Sequence, residues 1–224
     1  MLKHITIEGV RNLAHIQVAL PAGATVLFGA NGSGKTSFLE AIHLLAVGRS
    51  FRTHQSKPVI QHGMAHCRIV GEVQRGRRAT VMGLEKHRDG GVKARVGGEN
   101  VPSLSELALH LPLVLLDTEG LGIVTGPPEG RRRLLDGTLF HVEQGFLSQW
   151  KRYALAVRQR NSGLRRGILS SDKAWRQEIA ETGTLLTQQP RAVAEKLAAE
   201  LALLAPALSD DLVGLAVVFR AGWD

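Results

Sequence analysis

Eight consecutive residues, Gly29-Ala30-Asn31-Gly32-Ser33-Gly34-Lys35-Thr36, follow the spacing G-x-x-x-x-G-K-[ST]. Glycines at these positions let the backbone curl until successive N–H groups face one anion, and the N-terminus of a following helix adds its dipole. The lysine then reaches the β- and γ-phosphates of a nucleotide, and the hydroxyl after it ligates magnesium. The stretch therefore predicts ATP and Mg2+ as ligands, with Gly29 to Thr36 nucleotide-binding and Thr36 the metal contact. Hydrolysis needs in addition a carboxylate placed after an apolar strand. Leu113-Val114-Leu115-Leu116-Asp117, with Glu119 two residues on, has that form, although a buried strand ending in an exposed turn has it too.

The loop has this meaning only between a strand and a helix. Thr25 to Phe28 is a short apolar run of the kind found in buried strands, and Phe38, Leu39, Ile42, Leu45 and Ala46 recur at helical spacing until Gly48. Upstream, Ile5 and Ile7, then Ile16, Val18 and Leu20, alternate with polar neighbours around a turn at Gly9 to Asn12. Downstream the period returns to two. Cys67, Ile69 and Val73, then Ala79 and Val81, then Val92, Ala94 and Val96 predict an antiparallel meander, with a hairpin at Asp89-Gly90-Gly91. A short helix over 103–111 and a strand over 113–116 follow.

The second half reads as helical. Leu135, Leu139, Val142, Phe146, Trp150, Tyr153 and Val157 step by three or four, which predicts one long helix opening at Gly126-Pro127-Pro128-Glu129 and broken by Gly163 and Gly167. Another begins near Asp172 with Trp175, Ile179 and Leu186, and Pro190 is expected to kink or split it before Val193, Leu197, Leu201 and Leu204. The two form a helical hairpin with arms of roughly 45 Å each. Val213 to Phe219 begins a further strand with no partner after it.

With 224 residues, 44% apolar and 21% charged, the chain holds one to two soluble domains. A single cysteine, Cys67, excludes a disulfide framework and is expected in the core, and no structural metal is expected of the nine histidines. No apolar run is long enough for a signal sequence or a membrane span, so a cytoplasmic protein is expected. The net charge of +8 makes a polyanion the default partner. It is concentrated: residues 123–168 carry +6 and residues 68–98 carry +5, offset by −3 elsewhere.

Several segments together resemble the RecF family of bacterial recombination mediators, relatives of SMC-type and ABC-type ATPases. Ile7-Glu8-Gly9-Val10-Arg11-Asn12-Leu13 is similar to its N-F-R-N turn, with Gly9 and Val10 in place of Asn and Phe. The loop continues into Ser37-Phe38-Leu39-Glu40-Ala41-Ile42 as the family's does, and Gly48-Arg49-Ser50-Phe51-Arg52 is more particular to the family than the loop. Gly126 to Asp136 resembles its G-x-P-x-x-R-R-x-F-L-D segment, with Leu134 for Phe, and Arg158-Gln159-Arg160-Asn161 and Gly222-Trp223-Asp224 also fit. The family's L-S-x-G-Q signature and its strand ending in D-D do not occur in the sequence, so the chain is expected to be about the first two-thirds of such a protein.

The resemblance implies an α/β fold, a P-loop NTPase head of ABC/SMC type (incomplete) with an inserted helical-hairpin domain. The expected divisions are a head over 1–125, the hairpin over 126–208 and the start of a returning head lobe over 209–224. Arg11 and Asn12 would then approach the nucleotide. The basic residues of the hairpin, Arg131, Arg132, Arg133, Lys151, Arg152, Arg158, Arg160, Arg165 and Arg166, become candidates for binding DNA through phosphates, since the few aromatics there fall on the apolar stripe. The implied function is ATP-dependent binding of single-stranded and gapped DNA in recombinational repair and replication restart, linked to the SOS response. RecR and RecO are the implied partners in loading a recombinase, and ATP closes a homodimer. At most a weak DNA-stimulated ATPase is expected, since Asp117 precedes the arginine segment and does not occupy the family's catalytic position. Two other readings remain on the residues alone: a small-molecule phosphotransferase using Lys35, Thr36 and Asp117, and an inert fragment.

Overall fold

Alternation puts Ile5 and Ile7 on one face of a strand, and that face is the centre of the first of two compact units, residues 1–116 and 117–224. The structure, a computed structural model, describes residues 1–53, 55–116, 120, 122–142, 145–167 and 172–220, with side chains left out at 140–142.

In the first unit, β1 (Leu2–Val10), β2 (Leu13–Ala19), β3 (His66–Arg75), β4 (Arg78–His87), β5 (Val92–Val96) and β6 (Glu99–Asn100) form one antiparallel sheet in the order β2-β1-β3-β4-β5-β6. Its register carries an apolar row across five strands: Ile16 opposite Ile7, Ile7 opposite Ile69, Ile69 opposite Leu84 and Leu84 opposite Ala94. Cross-strand apolar neighbours of this kind stabilise a sheet, and a slip of one residue would turn the row to solvent. Helix α1 (Lys35–Val47) contributes Phe38, Ala41, Leu44 and Leu45 to the same core, and a short helix α2 (Leu107–His110) adds Leu107. The helix ends as its sequence indicates, with Gly48 in the left-handed region and its N–H donated to Leu44.

Two expectations fail in this unit. Residues 25–28 and 113–116 are extended but pair with no described strand, and Phe28 is 91% and Leu116 88% exposed. An apolar run reports a need for burial, not the presence of a neighbour. In β4 the buried residues are Met82, Leu84 and Lys86, so Val81 faces outward instead of into the core. The Lys86 ammonium donates to the Gly48 carbonyl at 3.0 Å, at the negative end of α1, which compensates part of its burial.

The second unit is helical: α3 (Gly122–Thr125), α4 (Pro128–Val142), α5 (Phe146–Arg165) and α6 (Asp172–Leu208). The single long helix expected from 128 onward is two, because Gly145 takes φ +93° immediately before α5, a conformation that ends a right-handed helix. Gly163 lies within α5, which stops at Arg166 and Gly167. Pro190 does not split the following helix; α6 runs through both Pro190 and Pro206 for 37 residues. Each proline removes one backbone hydrogen bond, and the surrounding helix persists. The arms are thus unequal, about 30 Å for α5 and about 55 Å for α6 at 1.5 Å per residue. Trp150, expected on the apolar stripe, is about half exposed, and Phe146 and Ala156 are the buried residues of α5. The strand expected over 213–219 is a turn and an extended, unpaired segment, and Gly222 to Asp224 lie outside the described residues.

Cys67 faces the core of the sheet, 1% exposed, and burial pushes its thiol up to about 11. A thiol reacts as its thiolate. In native protein at pH 8, Ellman's reagent should therefore titrate no thiol within minutes, and one thiol after unfolding in guanidinium. Rapid reaction of the native protein would contradict this packing.

Candidate nucleotide-binding site

The turn between β1 and β2 and the glycine-rich loop are one assembly. Arg11 sits at φ +55°, the one non-glycine residue with positive φ among the described residues, and its N–H donates to the Val59 carbonyl at 2.8 Å. That conformation delivers Asn12 to the loop. Its Nδ2 donates to the Gly32 carbonyl at 2.8 Å, and its Oδ1 accepts from Ser37 Oγ at 2.8 Å. Gly34 has φ +101°, and a Cβ there would lie 2.6 Å from Leu13 Cδ2, so the close approach of the turn requires glycine. The Phe38 N–H then donates to the Gly34 carbonyl at 2.8 Å and starts α1. Lys35 Nζ folds back over the loop, donating to the carbonyls of Gly29 and Ala30 at 2.7 and 2.8 Å. Thr36 is exposed on the first turn of α1.

One helical turn beyond Thr36, Glu40 is completely buried. Its carboxylate accepts from Arg11 Nε at 2.9 Å and Nη2 at 2.8 Å, from Ser50 Oγ at 2.5 Å and from Arg52 Nη1 at 3.4 Å. Burial pushes its pKa up, but the hydrogen bonds of Arg11 and Ser50 and the charges of Arg11 and Arg52 outweigh it and hold the carboxyl below its usual range. Ser50 Oγ also accepts the N–H of Arg52 and Thr53, fixing the backbone of that segment.

These groups border a cleft of about 760 Å³ that includes Arg11, Asn12, Lys35, Thr36, Arg52 and Arg88. Arg88, next to the β4–β5 hairpin turn, pins the outer wall by donating to the carbonyls of Met64 at 2.5 Å and Gln61 at 2.9 Å. The structure therefore brings Asn31 to Thr36 together with Arg11 and Asn12 on one cleft, with Gly29 and Ala30 held to Lys35. Asp117 and Glu119 lie outside the described residues.

The candidate DNA-binding cations divide by surroundings. Arg152 makes a bidentate pair with Glu178 at 2.9 and 3.1 Å, and Arg160 meets Asp172 at 2.8 Å, so both tie α5 to α6. Arg131 donates to the carbonyls of Ile123 and Gly126 at the start of α4, Arg132 lies 3.9 Å from Glu129, and Arg166 reaches back to the Ser162 carbonyl. Arg133, Lys151, Arg158 and Arg165 are exposed and make no ion pair among the described residues.

Glu40, Ser50, Arg52 and Arg88 carry no chemical expectation in the sequence reading. The signal for the first was its place four residues after Thr36, on the same side of the helix. His62-x-x-x-His66-Cys67 also went unremarked in the sequence; it spans a turn and the start of β3, where residues four apart do not share a helical face. Among the described residues no group of three His, Cys, Asp or Glu is placed to hold a metal.

Residues 1–209 match the family described as RecF/RecN/SMC N terminal domain. The DNA replication and repair protein RecF of Stutzerimonas stutzeri (strain A1501) is 39% identical over 226 residues, covering 100% of this chain and 61% of that protein. RecF of Pseudomonas putida (strain W619) is 38% identical over 228 residues, with the same shares. The chain thus spans about three-fifths of the length of the curated relatives it matches. A solved structure of the recombination mediator protein RecF with ATP, in the RecFOR pathway, superposes with a TM-score of 0.83 at 23% identity, covering 93% of this chain and 58% of that one. A structure from work on ATP-driven dimerization and DNA-stimulated activation of SMC ATPases gives a TM-score of 0.50 at 18% identity, over 61% of this chain and 98% of that one. The fold is accordingly that of part of a RecF and SMC ATPase head, mixed helix and sheet, and the chain belongs to the RecF/RecN/SMC N-terminal domain family.

Proposed function

We propose that this chain is the nucleotide-binding part of an ATP-controlled DNA-binding protein of recombinational repair and replication restart. The observation that carries the reading is the complete Gly29–Thr36 loop at the N-terminus of α1, stitched by Asn12 and opening on a cleft lined with cations. The residues fit ATP. Lys35 spends its donors on the loop's own carbonyls, a contact that phosphate oxygens replace at the same place, and the N–H groups of the loop and first helical turn supply the remaining donors. The Thr36 hydroxyl would hold Mg2+, which when bound screens the phosphate charge. Arg11 and Asn12 belong to the wall of that site.

In this reading ATP acts as a switch. A ligand can shift an equilibrium only by its differential affinity for two states, so the nucleotide must favour the DNA-bound, dimeric form of the intact protein. RecR and RecO are its partners in loading a recombinase, and the response it serves is SOS-linked and cytoplasmic. No helix among the described residues is long and apolar enough to cross a membrane. The partition into a head over 1–125, a hairpin over 126–208 and a returning lobe over 209–224 belongs to the same proposal. The exposed apolar segments support an incomplete head: Val26, Phe28, Val114 and Leu116 suit burial, and the further length of the relatives offers strands to bury them.

Lys35→Ala should weaken binding of fluorescent ATP in the presence of Mg2+ by about ten-fold or more, the loss of a charge-assisted hydrogen bond. Equal binding by the variant and the parent would defeat the nucleotide assignment. DNA affinity that is the same with and without ATP would defeat the switch.

For DNA, the cations without ion pairs are the informative ones. If Arg133, Lys151, Arg158 and Arg165 all contact phosphate, their joint replacement by alanine lowers the slope of log affinity against log salt by about 3 to 4 on duplex DNA. An unchanged slope would place the DNA elsewhere. Replacing Arg152 or Arg160 instead should lower thermal stability, since each bridges two helices.

A further inference from the structure

Resting on the nucleotide reading, we propose that Arg52 is a movable cation that transfers from Glu40 to the polyphosphate of the bound nucleotide, and that Glu40 is the positioning residue that keeps it ready. The argument is one of charge and exposure around a single buried carboxylate.

Glu40 carries one negative charge and faces two guanidinium groups. Arg11 satisfies it fully by itself, with two parallel hydrogen bonds at 2.8 and 2.9 Å and a side chain only 20% exposed. Such a fork is the strong form of an arginine–carboxylate contact. Arg52 makes the surplus contact: one nitrogen at 3.4 Å, on a side chain 44% exposed. An ion pair that long and that open contributes little to stability. A purely structural carboxylate would need Arg11 and Ser50 alone.

The backbone under Arg52 is nevertheless fixed. Its own N–H and that of Thr53 both donate to Ser50 Oγ, which is itself hydrogen-bonded to Glu40. The residue thus combines a pinned Cα with a loosely held head group on the wall of the cleft that also holds Lys35 and Thr36. The Glu40, Arg11 and Arg52 cluster is left with one positive charge in excess beside the phosphate loop. Lys35, whose hydrogen bonds go to neutral carbonyls, adds a second. A polyphosphate entering the cleft supplies the missing anion, and a guanidinium presents paired N–H groups that match its oxygens. Trading one long contact to Glu40 for direct contacts to phosphate costs the protein little and leaves Arg11 in place. This also gives Gly48-Arg49-Ser50-Phe51-Arg52 a chemical role: its serine and its last arginine both act on the carboxylate of α1.

The test compares Mg-ATP binding by the full 224-residue chain and its Arg52→Ala, Arg52→Lys, Glu40→Gln, Glu40→Gln/Arg52→Ala and Lys35→Ala forms, using fluorescent ATP displaced by unlabelled ATP. Arg52→Ala should weaken ATP binding about ten-fold with an unchanged melting temperature, and Arg52→Lys should recover part of that loss. Glu40→Gln should weaken binding too, and the double variant should lose less than the product of the two single losses. If Glu40→Gln fails to fold, the Arg52 pair decides. Wild-type affinity in Arg52→Ala, beside a loss in Lys35→Ala, would overturn the inference and leave the nucleotide site standing. Wild-type affinity in Lys35→Ala would overturn the site itself.

Discussion

A single buried carboxylate organises the site half of this molecule. Glu40 has no access to solvent, so its charge must be met inside the protein, and an unpaired charge there would be severely destabilising. Meeting it draws in Arg11 from the β1–β2 turn and Ser50 and Arg52 from the segment after α1. Those contacts fix where the turn sits. Once Arg11 is placed, Asn12 is within reach of the loop and of Ser37, and the phosphate loop is held open against β1. Three stretches that are far apart in the chain become one wall because each answers the same charge.

The sheet behind this wall makes it rigid. The apolar row from Ile16 to Ala94 buries one face against Phe38, Leu44 and Leu45 of α1, so the helix carrying Lys35, Thr36 and Glu40 cannot shift without opening the core. The meander does more than cover the helix. Its β4–β5 turn brings Arg88 to the far side of the cleft, where the guanidinium holds the carbonyls of Gln61 and Met64. At the other end of α1, Lys86 meets the last carbonyl through Gly48. Both ends of the helix are therefore tied to charged groups.

The helical unit shows a different use of charge. Arg152 and Arg160 are paired with acids on the facing helix, while Arg133, Lys151, Arg158 and Arg165 project free of such partners. The same residue type joins helices at some positions and leaves charge available to a polyanion at others. Counting basic residues cannot separate these roles, because the acids that decide them lie twelve and twenty-six residues away.

Local pattern was enough for the elements whose signals are local. The loop spacing, the alternation in β1 to β5 and the helical stop at Gly48 were readable in the sequence because each depends on neighbours within a few residues. The division at Gly145 and the passage of α6 through Pro190 were not, since a glycine's φ and the tolerance of a proline are decided by surrounding packing. The pairing of 25–28 and 113–116 was not readable either, because an apolar run states what a segment wants and not what lies beside it. For the site, the sequence by itself determined the phosphate-binding residues, whose chemistry resides in contiguous backbone. Only the tertiary structure decided that Arg11, Ser50 and Arg52 meet Glu40, because a buried charge selects its partners by distance in space.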